Sequence, residues 1–396
     1  MAEIVSASIF ITNLNEDLVI NPAIYKNIKS SIDVPENKQL TFTLQNLDVS
    51  IANSLRRVVL SEIPVVVLDS LDKENIEDEN INIFKNTSIL NNEIIKQRLT
   101  CIPVCINNID EFEYKNYIIE CDKTNNTNTK MIVSSGDFKI KNVVTGEYLP
   151  KSELEKIFKK NPVTNQYVDL VYLQPSFNGN SNESIKFECG FKVSNAKENG
   201  SYNAASTCVY SFTLDENEIE KQWKQMVEKL PQKKEIRELA RNDFMNLEAQ
   251  RITIPNSFDF KVQSVGIYEN NELIILACEV MIRKFEQLIK YLETPEEIIH
   301  KNLELTENAY NVILYNEDYT IGKVLENMLY LQIFIKEKKL SYISMKKNHP
   351  HDKDSILMLA YNDETTIIDD IVVDITNICK MNIEIYQNIK LNMTKV

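Results

Sequence analysis

The sequence predicts an α+β protein in which a strand–helix–strand–helix module occurs twice along one chain. Two observations lead to this fold class. One segment recurs later in the chain, and the same order of apolar patterns surrounds both copies. At 396 residues the chain is long enough for two or three domains that each bury a core.

The recurring segment spans residues 46–60 and 316–330. At one constant offset the two copies share Asn46 and Asn316, Asp48 and Asp318, Ile51 and Ile321, and Leu55 and Leu325. Each copy predicts a helix, because its aspartate offers an N-cap oxygen and apolar residues follow at helical spacing. We predict that these stripes form a dimerisation core: Ile51, Leu55, Val58 and Val59 in the first copy, and Ile321, Val324, Leu325, Met328 and Leu329 in the second.

Strand patterns precede and follow each predicted helix. Apolar residues alternate over 40–44 and 258–262, and shorter runs at 311–315 and 356–361 are their counterparts. A second helix closes each module, and its apolar positions have helical spacing: Cys278, Met281, Phe285, Leu288 and Leu292 in the first, and Ile371, Ile375, Ile378 and Ile385 in the second.

Two related modules in one polypeptide favour an intramolecular pseudo-dimer, and two duplicated domains that never touch are the alternative. We expect the larger dimerisation module at residues 1–108 and 252–295, interrupted by a mostly-β insert at 109–251. The insert ends in a charged helical segment, 215–251, broken at Pro231. Residues 296–305 are predicted as a linker and 306–396 as the smaller dimerisation module.

The charge and hydropathy of the chain argue against direct DNA or membrane binding. The formal net charge is −14, whereas a DNA-binding surface needs clustered lysine and arginine. The basic clusters are only dipeptides, at 159–160, 233–234 and 346–347. No secretory leader is expected, and the longest apolar run, 273–278, is far shorter than the roughly 20 residues that span a bilayer.

No motif in the sequence predicts a metal site or a catalytic centre. The seven cysteines are an odd number and fit a reducing compartment, and the one close pair, Cys101 and Cys105, has no second pair to complete four ligands. Gly322-Lys323 lacks the preceding glycine of a phosphate-binding loop. We therefore expect no cofactor, zinc, iron–sulfur cluster or catalytic residue, although an enzyme stays open as a class.

Three segments resemble known subunits of RNA polymerase. Residues 42–64, with Leu55-Arg56-Arg57 at their centre, and residues 86–103 resemble subunit 3, called D in archaea and alpha in bacteria. Residues 318–325, followed downstream by His349-Pro350, resemble the smaller subunit 11, archaeal L. The fused arrangement is similar to that of large DNA viruses that carry their own polymerase.

The resemblance implies a non-catalytic scaffold on which the two largest polymerase subunits and small subunits assemble, with DNA reached only through the complex. It also implies that Arg56 and Arg57 form an interface with the second-largest subunit. The implied location is reducing and intracellular: host cytoplasm or viral factory, nucleus, or packaged in the virion. A duplicated interaction module outside transcription is the alternative.

The sequence departs from that family in three places. Cysteines for the zinc or iron–sulfur site of some members are absent, and the loop 196–205 lacks the family's histidine. The segment 215–251 has no counterpart in the family pattern.

Overall fold

The computed structural model describes residues 9–10, 39–68, 81–109, 111–161, 164–175, 182–302, 308–363 and 365–394. The strands are β1 (Ile9–Phe10), β2 (Leu40–Gln45), β3 (Val65–Val67), β4 (Ile81–Asn86), β5 (Tyr117–Thr124), β6 (Met131–Ser134), β7 (Lys139–Asn142), β8 (Asp169–Leu173), β9 (Ser184–Gly190), β10 (Lys192–Ser194), β11 (Ala205–Leu214), β12 (Thr253–Ser264), β13 (Ile299–Lys301), β14 (Ala309–Leu314), β15 (Leu340–Lys346) and β16 (Ser355–Tyr361). The helices are α1 (Val49–Ser61), α2 (Asn92–Thr100), α3 (Lys151–Ile157), α4 (Glu216–Val227), α5 (Lys234–Asn246), α6 (Asn270–Tyr291), α7 (Pro295–Ile298), α8 (Tyr319–Leu329) and α9 (Ile368–Met393). All pairings between these strands are antiparallel, and the mixture of helices and sheets confirms the predicted α+β class.

Strands β2, β11 and β12 with helices α1 and α6 form what we call the N-terminal unit. Its sheet has the order β1-β2-β12-β11. Phe42 of β2 lies opposite Phe260 of β12, and their rings stack with centroids 5.0 Å apart. Helix α1 contacts β11 and helix α6 contacts β12, so the two helices cover the apolar face of the sheet.

Strands β13 to β16 with helices α8 and α9 form the C-terminal unit. Its sheet has the order β13-β14-β16-β15, and α8 contacts β15 and β16. The chain continues from α8 into a π-helical segment, Tyr330–Lys336, before β15 begins. The strand and helix patterns predicted at 311–315, 356–361 and around Ile371 therefore occur as β14, β16 and α9.

The repeated segment has the same local geometry in both units. Asn46 and Asn316 both adopt a positive φ, at 61° and 55°, in the turn before the helix. Asp48 accepts a hydrogen bond from the Ser50 amide at 2.7 Å, and Asp318 accepts one from the Thr320 amide at 2.8 Å. Both predicted N-caps are therefore confirmed.

A second core, which we call the middle unit, lies between the parts of the N-terminal unit. It holds the sheet β4-β9-β5-β7, the two-stranded sheet β6-β8 and helix α2. Ile95 and Leu99 of α2, which precede the predicted boundary at 108/109, are buried in this core. Strand β11, which precedes the predicted boundary at 251/252, pairs with β12 along nearly its whole length and so belongs to the N-terminal sheet.

The charged segment 215–251 forms a helical hairpin of α4 and α5 around a small core of its own. Trp223 and Phe244 lie at its centre, with ring centroids 5.6 Å apart. The predicted break at Pro231 falls between the two helices.

The predicted linker at 296–305 is structured in its first part. Helix α7 and strand β13 occupy 295–301, and Ile299 pairs with Val312 at the edge of the C-terminal sheet. The reason is burial: Ile298 and Ile299 are 1% and 3% exposed, although Glu296 and Glu297 directly precede them in sequence. Residues 303–307 lie outside the described residues. Among the helices that the structure describes, none has the length and apolar character needed to cross a bilayer.

Candidate assembly site

The two units share one continuous apolar core. All residues predicted as the dimerisation core are buried, and they lie in a single cluster with apolar residues of α6 and α9. Helix α1 packs against α8, and α6 packs along α9. Phe285 of α6 and Tyr386 of α9 place their ring centroids 6.0 Å apart inside this core. The surface that each unit would expose alone is thus covered by the other.

One buried hydrogen bond joins the units through this core. The Ser54 hydroxyl of α1 lies 2.6 Å from the Tyr386 hydroxyl of α9. The Ser54 hydroxyl also donates a hydrogen bond to the Ile51 carbonyl oxygen at 2.7 Å. Because Ser54 uses its single hydroxyl proton in the bond to Ile51, the Tyr386 O–H donates to Ser54 Oγ. Burial raises the pKa of Tyr386 well above its usual value, so this hydroxyl stays neutral.

Arg57 forms a charged link between the units. Its Nη2 lies 2.8 Å from Asp318 Oδ2, and its Nε donates to Thr320 Oγ1 at 2.9 Å. Asp318 also caps α8, so Arg57 contacts the repeated segment of the C-terminal unit at its helix start. Burial alone would raise the pKa of the Asp318 carboxyl, but its hydrogen bonds with Thr320 and the Arg57 charge lower the pKa below its usual value.

A second charged link is largely buried. Lys284 Nζ of α6 lies 2.9 Å from Glu62 Oε2 and 2.7 Å from Glu317 Oε2, and the three side chains are 12%, 9% and 17% exposed. Burial raises the pKa of Glu317, which Lys284 opposes. Burial would lower the pKa of Lys284, but the two carboxylates outweigh burial and raise it. The lysine therefore pairs with two carboxylates that the fold brings together and offsets part of their charge.

Arg56 differs from its neighbour Arg57. Its Nε donates to Asn53 Oδ1 at 3.1 Å within the same helix, and no carboxylate of the described residues pairs with it. Of the two arginines, Arg57 alone has an ionic partner among the described residues, which sequence analysis did not anticipate. The assignment of both arginines to a large-subunit interface stays a prediction.

Sequence reasoning also missed Lys284 and Tyr386. Both carry a recognisable signal, since each lies at helical spacing within a buried stripe: Lys284 between Met281 and Leu288, and Tyr386 between Asn382 and Ile389. A polar side chain on an apolar helix face needs a partner when it is buried. The pattern therefore indicates that a partner exists but not which residue supplies it.

The one close pair of cysteines lies just after α2. Cys101 is exposed and Cys105 half-buried, and burial raises the pKa of the Cys105 thiol, which disfavours a reactive thiolate. Across the part of the chain that the structure describes, no three His, Cys, Asp or Glu side chains lie close enough to hold a metal ion. The absence of a cofactor stays a prediction.

The two units thus share one apolar core that buried polar links cross. The chain belongs to the RNA polymerase Rpb3/Rpb11 dimerisation domain family, whose model matches residues 41–285. This match confirms the resemblance of residues 42–64 and 86–103 to a polymerase subunit; it covers most of the N-terminal unit and the middle unit and ends within α6.

Individual relatives agree with the family. DNA-directed RNA polymerase II subunit rpb3 of Dictyostelium discoideum is 22% identical over 296 residues, which cover 64% of this chain and 91% of the relative. DNA-directed RNA polymerase subunit Rpo3 of Pyrococcus furiosus is 25% identical over 287 residues, which cover 66% of this chain and 97% of the relative. A conjugation stage-specific protein of Tetrahymena thermophila is 28% identical over 203 residues, 48% of this chain, and the chain spans only 60% of that relative's length.

Proposed function

We propose that this chain is a non-catalytic assembly subunit of a multisubunit DNA-directed RNA polymerase, in which a subunit 3-like and a subunit 11-like unit are fused. The observation that carries the proposal is the core shared by the two units, with its links from Ser54, Arg57 and Lys284 to the other unit. Membership of the Rpb3/Rpb11 dimerisation family supports the polymerase context.

The same contacts support an intramolecular pseudo-dimer. Each unit has a strand, a capped helix, further strands and a long closing helix, and the helices of one unit pack on those of the other. In this proposal the middle unit is an insert in the larger module. Fusion keeps the units at an effective concentration on the order of millimolar, so that the pair forms before any other subunit binds.

In this role the chain contributes binding surface and the two largest subunits contribute catalysis. A formal charge of −14 fits contact with DNA through the complex rather than directly. We also propose that the chain holds no zinc or iron–sulfur cluster, so elemental analysis of the purified chain should give no stoichiometric metal. One zinc or several irons per chain would contradict this part. The fused viral setting, and a site of action in the host cytoplasm, viral factory, nucleus or virion, remain part of the proposal.

Affinity purification of the tagged chain from its native source tests the polymerase role. We expect two large subunits to co-purify, one of which bears the magnesium-binding D-x-D-x-D loop, together with small polymerase subunits. Recovery of other proteins in their place, reproducibly and without polymerase subunits, would favour an interaction module outside transcription.

A protease site inserted between Asn302 and Asn308 tests the pseudo-dimer. After cleavage the two fragments should still co-elute at moderate salt, because the shared core and the pairing of β13 with β14 remain. Two fragments that separate under native conditions would refute the pseudo-dimer but would leave the family assignment intact.

A further inference from the structure

A cavity of about 660 Å³ lies between the units at the start of helix α1. Asp48, which caps α1, Ser50 in its first turn and Asn327 of α8 all line it. The rings of Tyr210 and Tyr330 and the side chain of Ile343 also line it. The cavity thus has contributions from both units.

In the repeat, the residues around this cavity correspond to the residues that form the contact of Arg57 with Asp318 and Thr320. At the constant offset between the copies, Asp48 matches Asp318 and Ser50 matches Thr320, the two residues that bind Arg57. The position that matches Arg57 is Asn327. An asparagine side chain is several bonds shorter than arginine and carries no charge, so the second copy of the link is missing.

The polar groups around the cavity show what is missing. Ser50 Oγ and Asn327 Nδ2 have no hydrogen-bond partner, unlike Thr320 Oγ1, which accepts from Arg57. Both atoms are shielded from solvent, so an occupant of the cavity reaches them only when the Ser50 or Asn327 side chain changes rotamer. Asp48 is not in an ion pair with any described residue, whereas Asp318 pairs with Arg57. Buried polar groups without partners are uncommon, and a ligand is one way in which they become satisfied.

We infer that this cavity binds the side chain of an arginine supplied by a partner polypeptide. A guanidinium offers the donors that Asp48 and Ser50 lack, in the fork that Arg57 already uses at Asp318 and Thr320. The aromatic rings of Tyr210 and Tyr330 suit a planar cation. A backbone carbonyl of the same segment can accept from Asn327.

Two further charged residues line the cavity, and they do not oppose this occupant. Lys323 and Glu326 pair with each other across one turn of α8, so they contribute no net charge. The uncompensated charge is that of Asp48. The cavity therefore selects a cation, and the identity of the partner as a polymerase subunit rests on the proposed function.

Methyl NMR of the full chain, labelled at isoleucine δ1, tests the site directly. The probe is N-acetyl-arginine amide, and its uncharged control is N-acetyl-citrulline amide, which has nearly the same shape. We expect a saturable shift of the Ile343 methyl signal with the arginine probe and a much smaller one with citrulline. Equal shifts with both probes would overturn the inference.

Two variants give the assay its specificity. Asp48→Asn keeps a side chain that caps α1 but removes the charge, and should weaken the arginine probe at least tenfold. Asn327→Arg should fill the cavity from within the chain, abolish the shift and raise the melting temperature. Asn246→Arg, on the exposed face of α5, carries the same charge change and should leave the shift unaltered. An undiminished shift in the Asp48→Asn chain, or in a folded Asn327→Arg chain, overturns the inference.

Affinity purification with the same variants connects the site to a partner. Asn327→Arg should lower recovery of one polymerase subunit at least several-fold, and Asn246→Arg should not. If the wild-type chain recovers polymerase subunits and Asn327→Arg recovers all of them equally, the cavity has no partner arginine and the proposed function stands. If the wild-type chain recovers no polymerase subunit, the proposed function fails, and the NMR titration still decides whether the cavity binds arginine.

Discussion

The guanidinium of Arg57 lies 2.8 Å from the carboxylate of Asp318, 261 residues later in the chain. The contact joins the two copies of the repeated segment: Arg57 lies in the first copy, and Asp318 caps the helix of the second. The two side chains are partly exposed, at 38% and 22%, so their ion pair contributes only modestly to the association of the units. That association rests chiefly on the shared apolar core.

Replacement of Arg57 by alanine should weaken the association of the units by about 1–2 kcal/mol, because Asp318 and Thr320 lose a charged donor. Arg56→Ala is the matched control and should change stability by less than about 0.5 kcal/mol, since its polar contact stays within α1. The measurement is the dissociation constant of the two fragments after cleavage between Asn302 and Asn308. Equal effects of the two substitutions would contradict the role of Arg57.

Replacement of Lys284 by methionine should have a larger and pH-dependent effect. It leaves Glu62 and Glu317 buried without their shared cation, which typically costs about 3–5 kcal/mol. The pKa of Glu317 is already raised by burial and should rise further, so the folded variant holds a proton that the unfolded chain releases. Stability of the variant should therefore fall as the pH rises from about 5 to 8.

This pH dependence is checked by measuring the melting temperatures of the wild type and of Lys284→Met at pH 5 and at pH 8. In the wild type the pKa of Lys284 is raised, so its charged form stabilises the folded state. This stability is fully present below the usual lysine pKa and is lost as the pH rises through the raised pKa of the folded state. Both pKa values lie outside the range from pH 5 to pH 8. Lys290→Met, on the exposed face of the same helix, is the control and should show no such pH dependence. A gap between wild type and Lys284→Met that is the same at pH 5 and pH 8 would refute the argument.

Removal of the Tyr386 hydroxyl tests the buried link through the core. Tyr386→Phe should cost about 1 kcal/mol, and Ser54→Ala a similar amount, because each removes one partner of the same hydrogen bond. In the double variant the two costs should not add, and the coupling should be on the order of 1 kcal/mol. Urea unfolding of the four proteins measures it, and strictly additive costs would show that the bond contributes nothing.

The sequence predicted what local patterns determine. Helical spacing from Ile51 to Val59, and the aspartate before it, predicted α1 and its cap, and the same pattern predicted α8. What the patterns could not predict is the choice of partner over long sequence distances. Strand β11 alternates like any half-buried strand, and only its pairing with β12 shows that it belongs to the N-terminal sheet.

The candidate site shows the same division. The apolar stripes were predicted as a dimerisation core, and the structure buries them together. The polar links were not predicted, because Asp318 lies 261 residues after Arg57, and of the two partners of Lys284 Glu317 lies in the other unit, 33 residues later. A lysine within an apolar stripe predicts that a carboxylate lies near it, but only the fold identifies Glu62 and Glu317.

The last prediction separates the two arginines that the sequence assigned to a large-subunit interface. Among the described residues, Arg57 has carboxylate and hydroxyl partners, whereas Arg56 donates to Asn53 alone. A guanidinium without an ionic partner is available to bind carboxylates or carbonyls of another subunit bidentately. Truncation of such a contact at an interface typically costs about 2–5 kcal/mol.

We therefore expect Arg56→Ala to lower capture of the second-largest polymerase subunit in a pull-down while the melting temperature stays unchanged. Arg57→Ala should lower cohesion between the units and affect capture less, and the double variant should show both losses. Arg283→Ala, an exposed arginine on α6, is the control and should bind normally. The interface prediction requires at least one of the two arginines to contact the second-largest subunit. Full recovery of that subunit by the double variant would contradict the prediction. Arg56 would then be a solvent-exposed residue of α1, and the role of Arg57 would be limited to its contact with Asp318.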